Sequence, residues 1–405
     1  MKALVWMNVG DIRVAEVPEP KLQEPTDAIV RLTASAICGT DLHFVRGTFS
    51  GMKSGTILGH EGVGVVEQVG KDVRNLQVGD RVVMGSTIGC GSCEACRQGL
   101  FSQCLVANPN GPEAGTVFFG GPKDSGPVNG MQAEKVRVPY ANVTCVKLPP
   151  EVSDDQAIML SDIFPTGYQA AEQADIEPGN SVAVFGCGPV GLFTIASAML
   201  LGAGRVFAVD REPSRLEMAR KLGAETINFD EEDPKETIKR MTQGSMVDCV
   251  IDAVGLDAEH AHSGPALKDA IQKAPQIAQE VQQIAPETHP ETGFAPSPQA
   301  APSQALEWCV GCVKKGGNMS IIGVYSLQST TFPIGMAMNK NLNIRMGNCN
   351  HRKYIPMLVD MVRSGTVDPT LILTEHEHLS DAVAAYHAFN ERQPGWVKVE
   401  LEPAA

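Results

Sequence analysis

The chain has 405 residues, of which 43% are hydrophobic and 20% charged, and its formal net charge is −14 at pH 7. The length favours two domains, and the composition is that of an ordinary soluble globular protein. The acidic balance argues against a sequence-independent nucleic-acid binder, which needs a basic face. We see no secretory signal and no apolar run of about 18 residues, so we expect a cytoplasmic protein without a membrane span.

Two stretches near the N-terminus combine potential metal ligands with tight backbone packing. Residues 35–47 read SAICGTDLHFVRG, and residues 59–70 read GHEGVGVVEQVG. The glycines of the second stretch alternate with valines, as in a strand that lets neighbouring backbones approach closely. Taken alone, His60 in this strand is as compatible with a structural hydrogen bond as with a metal site.

Four cysteines then fall within fifteen residues, with the spacing C-x2-C-x2-C-x7-C. Clustered cysteines in an intracellular chain more often bind metal than form disulfides. Four thiolates complete a tetrahedral Zn²⁺ shell and leave no position for a reactant, so this spacing predicts a structural zinc site. An iron–sulfur cluster is the alternative, but the spacing differs from the ferredoxin patterns. The predicted ligands are Cys90, Cys93, Cys96 and Cys104.

A dinucleotide-binding pattern begins near residue 181. A short apolar strand, 181–185, runs into the glycine triplet G-x-G-x-x-G, a helix follows over about 189–201, and a second strand, 205–209, ends in Asp210. Together these features indicate a βαβ unit whose glycines and helix N-terminus hold a pyrophosphate. The acidic residue would bond the adenosine ribose hydroxyls and favour NAD over NADP, although Arg211 could receive a 2′-phosphate. The candidate cofactor-binding residues are Gly186, Gly188, Pro189, Val190, Gly191, Asp210, Arg211 and Arg215.

Further alternation of strands and helices extends this domain to about residue 348. It is interrupted by an Ala-, Gln- and Pro-rich insertion, residues 255–303, with a predicted helix over 265–284. The insertion is either a surface excursion or subunit contact, or a cover over the adenosine side of the cofactor, and its three histidines are not expected to be ligands. Cys309 and Cys312 are interpreted as packing residues of a helix that ends near Gly316.

Cys38, the GHE stretch and the four-cysteine loop, in that order, resemble the zinc-dependent alcohol dehydrogenases of the medium-chain family. The resemblance covers nearly the whole chain and implies an α/β protein with two domains. A GroES-like, β-rich catalytic domain would comprise residues 1–152, with residues 349–405 returning to it. A doubly wound Rossmann domain would comprise residues 153–348.

The same resemblance implies that Cys38 and His60 bind a catalytic zinc. Many members supply a cysteine as the third ligand, but here Asp162 stands at the matching place, in LSDIFPTGY, which resembles the glutathione-independent formaldehyde dehydrogenase branch. Glu61 is the alternative ligand, and a helix cap or a salt bridge is the alternative role for Asp162. With the four-cysteine site, we expect two zinc ions per chain.

The resemblance also assigns roles beside the metal. Thr40 would accept the hydrogen bond of the substrate hydroxyl, and His43 would pass the proton towards solvent. Asp41 would bond the free ring nitrogen of His60 and fix its tautomer. Lys398 would lie near the cofactor phosphates.

These expectations describe an oxidoreductase that transfers a hydride between a primary alcohol or aldehyde hydrate and NAD. A formaldehyde dehydrogenase or aldehyde dismutase with tightly held NAD, and a polyol dehydrogenase, are the alternatives within the family. The rivals are a metal-free quinone reductase of the same superfamily and a non-enzymatic protein, either a dinucleotide sensor or a zinc-stabilised interaction protein. We expect a small-molecule substrate, no nucleic-acid or membrane partner, and a homo-oligomer, either a dimer or a tetramer. The candidate walls of the substrate pocket are Phe44, Phe49, Phe118 and Ile163.

Overall fold

The computed structural model describes residues 1–284 and 293–403. These residues form two compact units, which are described separately. The first contains residues 1–165, 293–295 and 348–403, and the second contains residues 166–284 and 296–347. His289 and the middle of the predicted insertion lie outside the described residues. Within the described ranges, no helix is both long and apolar enough to cross a membrane.

The first unit starts with eight strands and four short helices. They are β1 (Lys2–Asn8), β2 (Asp11–Glu16), β3 (Ala28–Ile37), α1 (Gly39–Arg46), β4 (Thr56–Ile57), β5 (Gly62–Val69), β6 (Arg81–Met84), α2 (Glu94–Arg97), β7 (Lys135–Val138), α3 (Ala141–Thr144), β8 (Cys145–Lys147) and α4 (Asp154–Met159). Because α4 packs on β3 and β5, the boundary between the units comes at Pro165, later than the predicted residue 152.

The next stretch of chain alternates strands and helices. It contains α5 (Ile163–Gln173), β9 (Ser181–Phe185), α6 (Pro189–Leu200), β10 (Arg205–Asp210), α7 (Pro213–Lys221), β11 (Glu225–Asn228), α8 (Pro234–Met241), β12 (Val247–Asp252), α9 (Leu267–Ile284), α10 (Gln304–Cys312), β13 (Val313–Ile321), α11 (Ile334–Asn339) and β14 (Asn343–Met346). The helix predicted to end near Gly316 ends at Cys312 instead, because β13 starts at the next residue and includes the glycine pair.

The C-terminal segment belongs to the first unit and contains α12 (His351–Arg363), β15 (Glu375–His378), α13 (Ala382–Asn390) and β16 (Val399–Glu402). In the first unit, β15, β16, β3, β5, β6 and β8 lie side by side in one sheet, in which β7 also pairs with β3, and β2, β1 and β4 form a second sheet. A side chain at Gly64 would lie 2.2 Å from the carbonyl oxygen of Arg31, so the close approach of β5 to β3 requires glycine there.

The second unit is built on a six-stranded sheet with the order β11-β10-β9-β12-β13-β14, in which the strands run parallel. The central strand β9 is followed by the glycine triplet and α6, as the sequence predicts. This strand order is the doubly wound arrangement that binds dinucleotides at the carboxyl ends of its strands. The predicted fold class, a β-rich GroES-like domain plus a Rossmann domain, is confirmed.

Candidate functional site

Sheet pairing in the first unit brings three distant stretches of chain to one place. Cys38 follows the last residue of β3, and His60 and Glu61 immediately precede β5. Antiparallel pairing of Ser35 with Gly62 therefore sets Cys38 beside the GHE stretch. Asp162 joins them from the turn between α4 and α5, where the hydroxyl of Ser161 accepts a 2.9 Å hydrogen bond from the backbone N–H of Gly62.

The four side chains form a buried group of potential metal ligands, with ligand atoms within 4.8 Å of one another. Oδ2 of Asp162 lies 3.7 Å from Sγ of Cys38 and 3.5 Å from Nε2 of His60. Bond lengths of about 2.0–2.3 Å at tetrahedral angles separate zinc ligand atoms by about 3.3–3.8 Å. One sulfur, one nitrogen and one oxygen atom thus fit a zinc ion and leave a fourth position for a substrate.

Asp41 holds the histidine of this group in place. Its Oδ1 lies 3.1 Å from Nδ1 of His60, and its Oδ2 accepts a 3.0 Å bond from the backbone N–H of Cys38. An acceptor at Nδ1 keeps the hydrogen on that nitrogen, so Nε2 presents its lone pair to a metal. This contact is the one expected for Asp41, and Gln132 supports the carboxylate from the other side at 3.4 Å.

Lys398 has a different partner from the predicted cofactor phosphate. It immediately precedes β16, which pairs with β3, and its ammonium donates to Oε1 of Glu61 at 2.5 Å and to the carbonyl of Ile37 at 3.1 Å. Both charged side chains are fully buried. Burial raises the pKa of Glu61, and the ammonium of Lys398 opposes that shift. An enclosed ammonium with two partners is not available to a phosphate, so we withdraw the predicted phosphate contact.

Asp162 receives a second contact that the sequence did not reveal. His351, the first residue of α12, places its Nε2 2.7 Å from Oδ1 of Asp162. Burial alone would raise the pKa of Asp162, but the hydrogen bond from His351 opposes it, and the pKa lies well below its usual value. The sequence offered no signal for this contact, since His351 lies in a stretch that reads only as a helix start.

Thr40 and His43 both lie on α1, directly after Cys38. Thr40 is half-buried, whereas His43 is buried and packs edge-on against Phe49 with ring centroids 5.1 Å apart. Phe118 stacks on Phe44 and meets the edge of His60. Phe49 and Phe118 thus each contact one of these histidines, and Phe44 packs against both phenylalanines. The proton-transfer roles of Thr40 and His43 stay predictions.

The four-cysteine loop forms a second group of potential ligands. Sγ of Cys93 and Sγ of Cys104 are 3.9 Å apart, close to the separation of about 3.8 Å in a tetrahedral four-sulfur zinc site. Backbone N–H groups point at the sulfur atoms, for example from Cys90 to Cys104 at 3.2 Å. Burial raises the pKa of Cys93, but backbone hydrogen bonds outweigh it and lower the pKa to about 6. At Cys96 and Cys104 burial prevails and the pKa is raised.

The glycine triplet of the second unit has the geometry of a phosphate cradle. Gly186 has φ = +92°, and a side chain at Gly191 would lie 1.9 Å from the carbonyl oxygen of Gly186. At Gly188, the N-cap of α6, a side chain would meet nothing nearer than the guanidinium of Arg215 at 3.9 Å. Pro189 occupies the first position of the helix, and Val190 follows it half-buried. Open space over a helix N-terminus beside an arginine suits an anionic group.

Asp210 ends β10 beside this turn. Its Oδ2 accepts a 2.7 Å bond from the backbone N–H of Cys187, and its Oδ1 accepts a 2.7 Å bond from that of Arg211. The guanidinium of Arg211 in turn contacts Glu212 at 3.1 Å and Glu259 at 3.2 Å. Two carboxylates therefore engage the arginine that could have received a 2′-phosphate. Glu259 lies in the insertion, which the sequence predicts to be either a surface excursion or subunit contact, or a cover over the adenosine side of the cofactor.

Comparison with known proteins agrees with the geometry of both units. The family pattern of the alcohol dehydrogenase GroES-like domain matches residues 24–150, and that of the zinc-binding dehydrogenase matches residues 189–272. An uncharacterized zinc-type alcohol dehydrogenase-like protein, AdhB of Bacillus subtilis, is 36% identical over 412 aligned residues, covering 100% of both chains.

Two further proteins are similar over most of the chain. The glutathione-independent formaldehyde dehydrogenase of Pseudomonas aeruginosa is 34% identical and covers 85% of this chain and 80% of its own length. The solved structure of the alcohol dehydrogenase TADH from Thermus sp. ATN1 is 34% identical, has a TM-score of 0.79 and covers 99% of each chain. Since these relatives are 34–36% identical over most or all of the chain and both family patterns match, the chain belongs to the medium-chain family of zinc-type alcohol dehydrogenases.

Proposed function

We propose that this oxidoreductase uses zinc and NAD to interconvert a primary alcohol, or an aldehyde hydrate, with its oxidised product. The proposal rests on one observation: the potential ligand atoms of Cys38, His60 and Asp162 lie at distances from one another that suit a single zinc ion. These three ligands leave one tetrahedral position, and one thiolate with one carboxylate balances the charge of Zn²⁺. Bound there, zinc supplies a Lewis acid for the substrate oxygen, and NAD supplies the hydride acceptor.

The remaining steps belong to side chains of this chain. Asp41 orients the ring of His60 so that Nε2 faces the site. The hydroxyl of Thr40 would accept the hydrogen bond of the substrate hydroxyl and pass its own proton on. The neutral imidazole of His43 would take up that proton and release it to solvent. Phe44, Phe49 and Phe118 exclude water around the reacting carbon, with Ile163 as a further candidate wall, and so favour substrates whose carbon chain is apolar.

NAD, rather than NADP, is the proposed cofactor. Asp210 places a negative charge at the end of β10, where the adenosine ribose lies in doubly wound folds. Glu259 and Glu212 engage Arg211 and add two more negative charges. These carboxylates would therefore repel a 2′-phosphate.

Two zinc ions per chain are proposed, one in each group of ligands. Two groups of potential zinc ligands argue against the function of a metal-free quinone reductase. They also argue against a non-enzymatic dinucleotide sensor, because such a protein does not need a zinc ion with an open coordination position. Within the family, formaldehyde oxidation or aldehyde dismutation is the second candidate, favoured by an aspartate at the third ligand position and by the similarity to the Pseudomonas enzyme. Polyol oxidation stays an alternative.

We further propose that the protein is a cytoplasmic homo-oligomer, a dimer or a tetramer. Strand β14 is the last strand of its sheet, and Met346 on it is 63% exposed. Met338 and Ile334, on the neighbouring α11, are also exposed. An unpaired strand edge with apolar side chains favours association with a second copy. Light scattering of the parent and of Met346→Lys should show the larger mass only for the parent.

A panel of alcohols, aldehydes and polyols with NAD, followed through the absorbance of the reduced cofactor, tests the proposed activity. We expect turnover of at least one primary alcohol or aldehyde and its loss in Cys38→Ser. Dismutation would appear as alcohol and acid formed together from an aldehyde without net change in NADH. A zinc-loaded protein inactive towards the whole panel would contradict the proposal.

A further inference from the structure

The two oxygen atoms of Asp162 face different partners. Oδ2 is directed at Cys38 and His60, at 3.7 and 3.5 Å, whereas Oδ1 is held by Nε2 of His351 at 2.7 Å. His351 is 2% exposed, so this contact is shielded from water. The carboxylate is thereby divided into one oxygen for the group of metal ligands and one for the histidine.

The hydrogen positions on His351 follow from its surroundings. A carboxylate oxygen is only an acceptor, so Nε2 must carry a hydrogen and donate it to Asp162. The other ring nitrogen, Nδ1, lies 3.0 Å from the hydroxyl of Thr87, which also lies 3.3 Å from the carbonyl oxygen of Cys349. Thr87 can donate to the ring or accept from it, and in either case the imidazole is fixed at both ends.

The backbone around His351 is anchored as well. The neighbouring Asn350 accepts hydrogen bonds from both the backbone N–H and the hydroxyl of Ser102, each at 3.0 Å. Ser102 lies within the four-cysteine loop, and Thr87 lies just before that loop. The start of α12 is thus attached to a segment that its own metal site would stiffen, and this fixes the place from which His351 reaches Asp162.

The division of the carboxylate has a chemical consequence. A carboxylate can bind a metal ion through one oxygen or through both, whereas a thiolate offers a single atom. If both oxygens of Asp162 turned to the metal, they would fill the position that a substrate needs. A cysteine at this position could not do so, and would need no partner to prevent it.

We propose that His351 is a positioning residue that restricts Asp162 to one metal-binding oxygen and thereby keeps the fourth coordination position open. This inference rests on the proposed catalytic zinc and adds a residue to it. His351 touches neither substrate nor cofactor in this role and acts only through Asp162. The removal of such a supporting partner typically lowers metal affinity by about 10–100-fold.

The test compares three replacements of His351 with a control. Ala removes the donor, Asn is too short to reach Oδ1, and Gln restores an N–H at about the distance of Nε2. His376→Ala, an exposed histidine of the same unit, is the control. Zinc affinity is measured by competition with a chelator, and coordination number by the visible absorption of Co²⁺, which is weaker when a fifth ligand binds.

We expect Ala and Asn to lose about 10–100-fold in zinc affinity or to show the weaker cobalt absorption, while Gln and the control resemble the parent. Parent-like affinity and spectra for both Ala and Asn would overturn the proposal. Loss of zinc from the unaltered parent would instead count against the proposed catalytic zinc, so the two failures are distinguishable.

The same His351 variants, made in an Asp162→Cys protein, distinguish the positioning of Asp162 from a general structural role of His351. In Asp162→Cys the third ligand has a single donor atom, so His351→Gln and His351→Ala should then bind metal equally well. We therefore expect the effect of His351→Ala to be large beside Asp162 and small beside the cysteine, a non-additive pair in a double-mutant cycle. An equal loss in both backgrounds would show that His351 only supports the fold, and would overturn the proposal.

Discussion

The ammonium of Lys398 lies 2.5 Å from Oε1 of Glu61, and neither side chain is exposed to solvent. The two residues are 337 positions apart, and the pairing of β16 with β3 brings them together. This buried ion pair lies beside the candidate metal site and gives a cationic partner to Glu61, the alternative to Asp162 as a ligand.

Removal of the cation should therefore destabilise the protein. Lys398→Met leaves a buried carboxylate without its partner, which typically costs about 3–5 kcal/mol. The double variant Glu61→Gln with Lys398→Met should recover much of this loss, because the unpaired charge is then gone. Urea unfolding monitored by fluorescence measures both effects. If Lys398→Met instead weakened NADH binding with no change in the unfolding midpoint, Lys398 would contact a cofactor phosphate after all.

Cofactor preference should respond to the carboxylates around Arg211. Glu259→Gln removes a negative charge 3.2 Å from the guanidinium and frees it for a 2′-phosphate. Asp210→Ser removes a ribose acceptor and should weaken NADH while improving NADPH. Fluorescence titration with both cofactors measures the change, and the exposed Glu217→Gln on α7 serves as the charge-matched control. A parent that already prefers NADPH would show that these carboxylates do not set the selectivity.

Metal analysis should find about two zinc ions per chain in the parent, following the four-ligand and three-ligand groups. Cys93→Ser opens the closed four-sulfur group, so its zinc content should fall to about one, together with a lower melting temperature. The zinc content of Cys38→Ser should also fall to about one ion per chain, but through loss of the other ion and with loss of turnover. A carefully prepared parent that holds one zinc or none would contradict the two-site assignment.

A pH effect is expected from Glu400 on β16. Burial, together with Asp155 and Glu402, raises the pKa of this glutamate to about 8, and its Oε2 has no hydrogen-bond partner among the described residues. Because the folded state holds this proton more tightly than the unfolded state, stability should decline as the pH rises from about 4.5 towards 8. Glu400→Gln should remove that decline and gain about 1–3 kcal/mol at pH 8. Melting curves of the parent and of Glu400→Gln at pH 5.5 and 8 provide the comparison. The same difference in stability between the two proteins at both pH values would contradict the prediction.

The sequence predicted those parts of the molecule whose signals are local. The strand Ser181–Phe185 was predicted with its observed bounds, and the helix after it within one residue, because apolar runs, a glycine triplet and a proline lie next to one another in the chain. The four-cysteine site is likewise predicted from local spacing, because its potential ligands all lie within fifteen residues of the chain. These are features that a few consecutive residues determine.

Contacts between distant residues were not predictable in the same way. His351 and Asp162 are separated by 189 positions, and nothing near either residue specifies the other. The family resemblance implies a phosphate contact for Lys398, whereas the burial of this side chain depends on how β16 enters the sheet. The engagement of Arg211 by Glu259 likewise depends on the path of a long insertion that no local pattern determines.

The identity of the third metal ligand is the most direct test of the site. Asp162→Ala leaves Cys38 and His60 alone, so zinc affinity and turnover should be lost together unless Glu61 moves in. Lys398 holds Glu61 by one oxygen, which opposes that movement. Asp162→Cys restores one negatively charged donor atom and should retain zinc and part of the activity, although a softer ligand alters the Lewis acidity of the metal.

The competing interpretation gives different results for the same variants. Asp162 precedes the first residue of α5, so a pure capping role would predict a loss of only about 0.5–2 kcal/mol in Asp162→Ala, with zinc in place. Asp162→Asn discriminates further, since an amide can still cap a helix but carries no charge for the metal. We expect it to fold like the parent and to bind zinc poorly. A zinc-replete and active Asp162→Ala protein would refute the assignment and transfer the ligand role to Glu61.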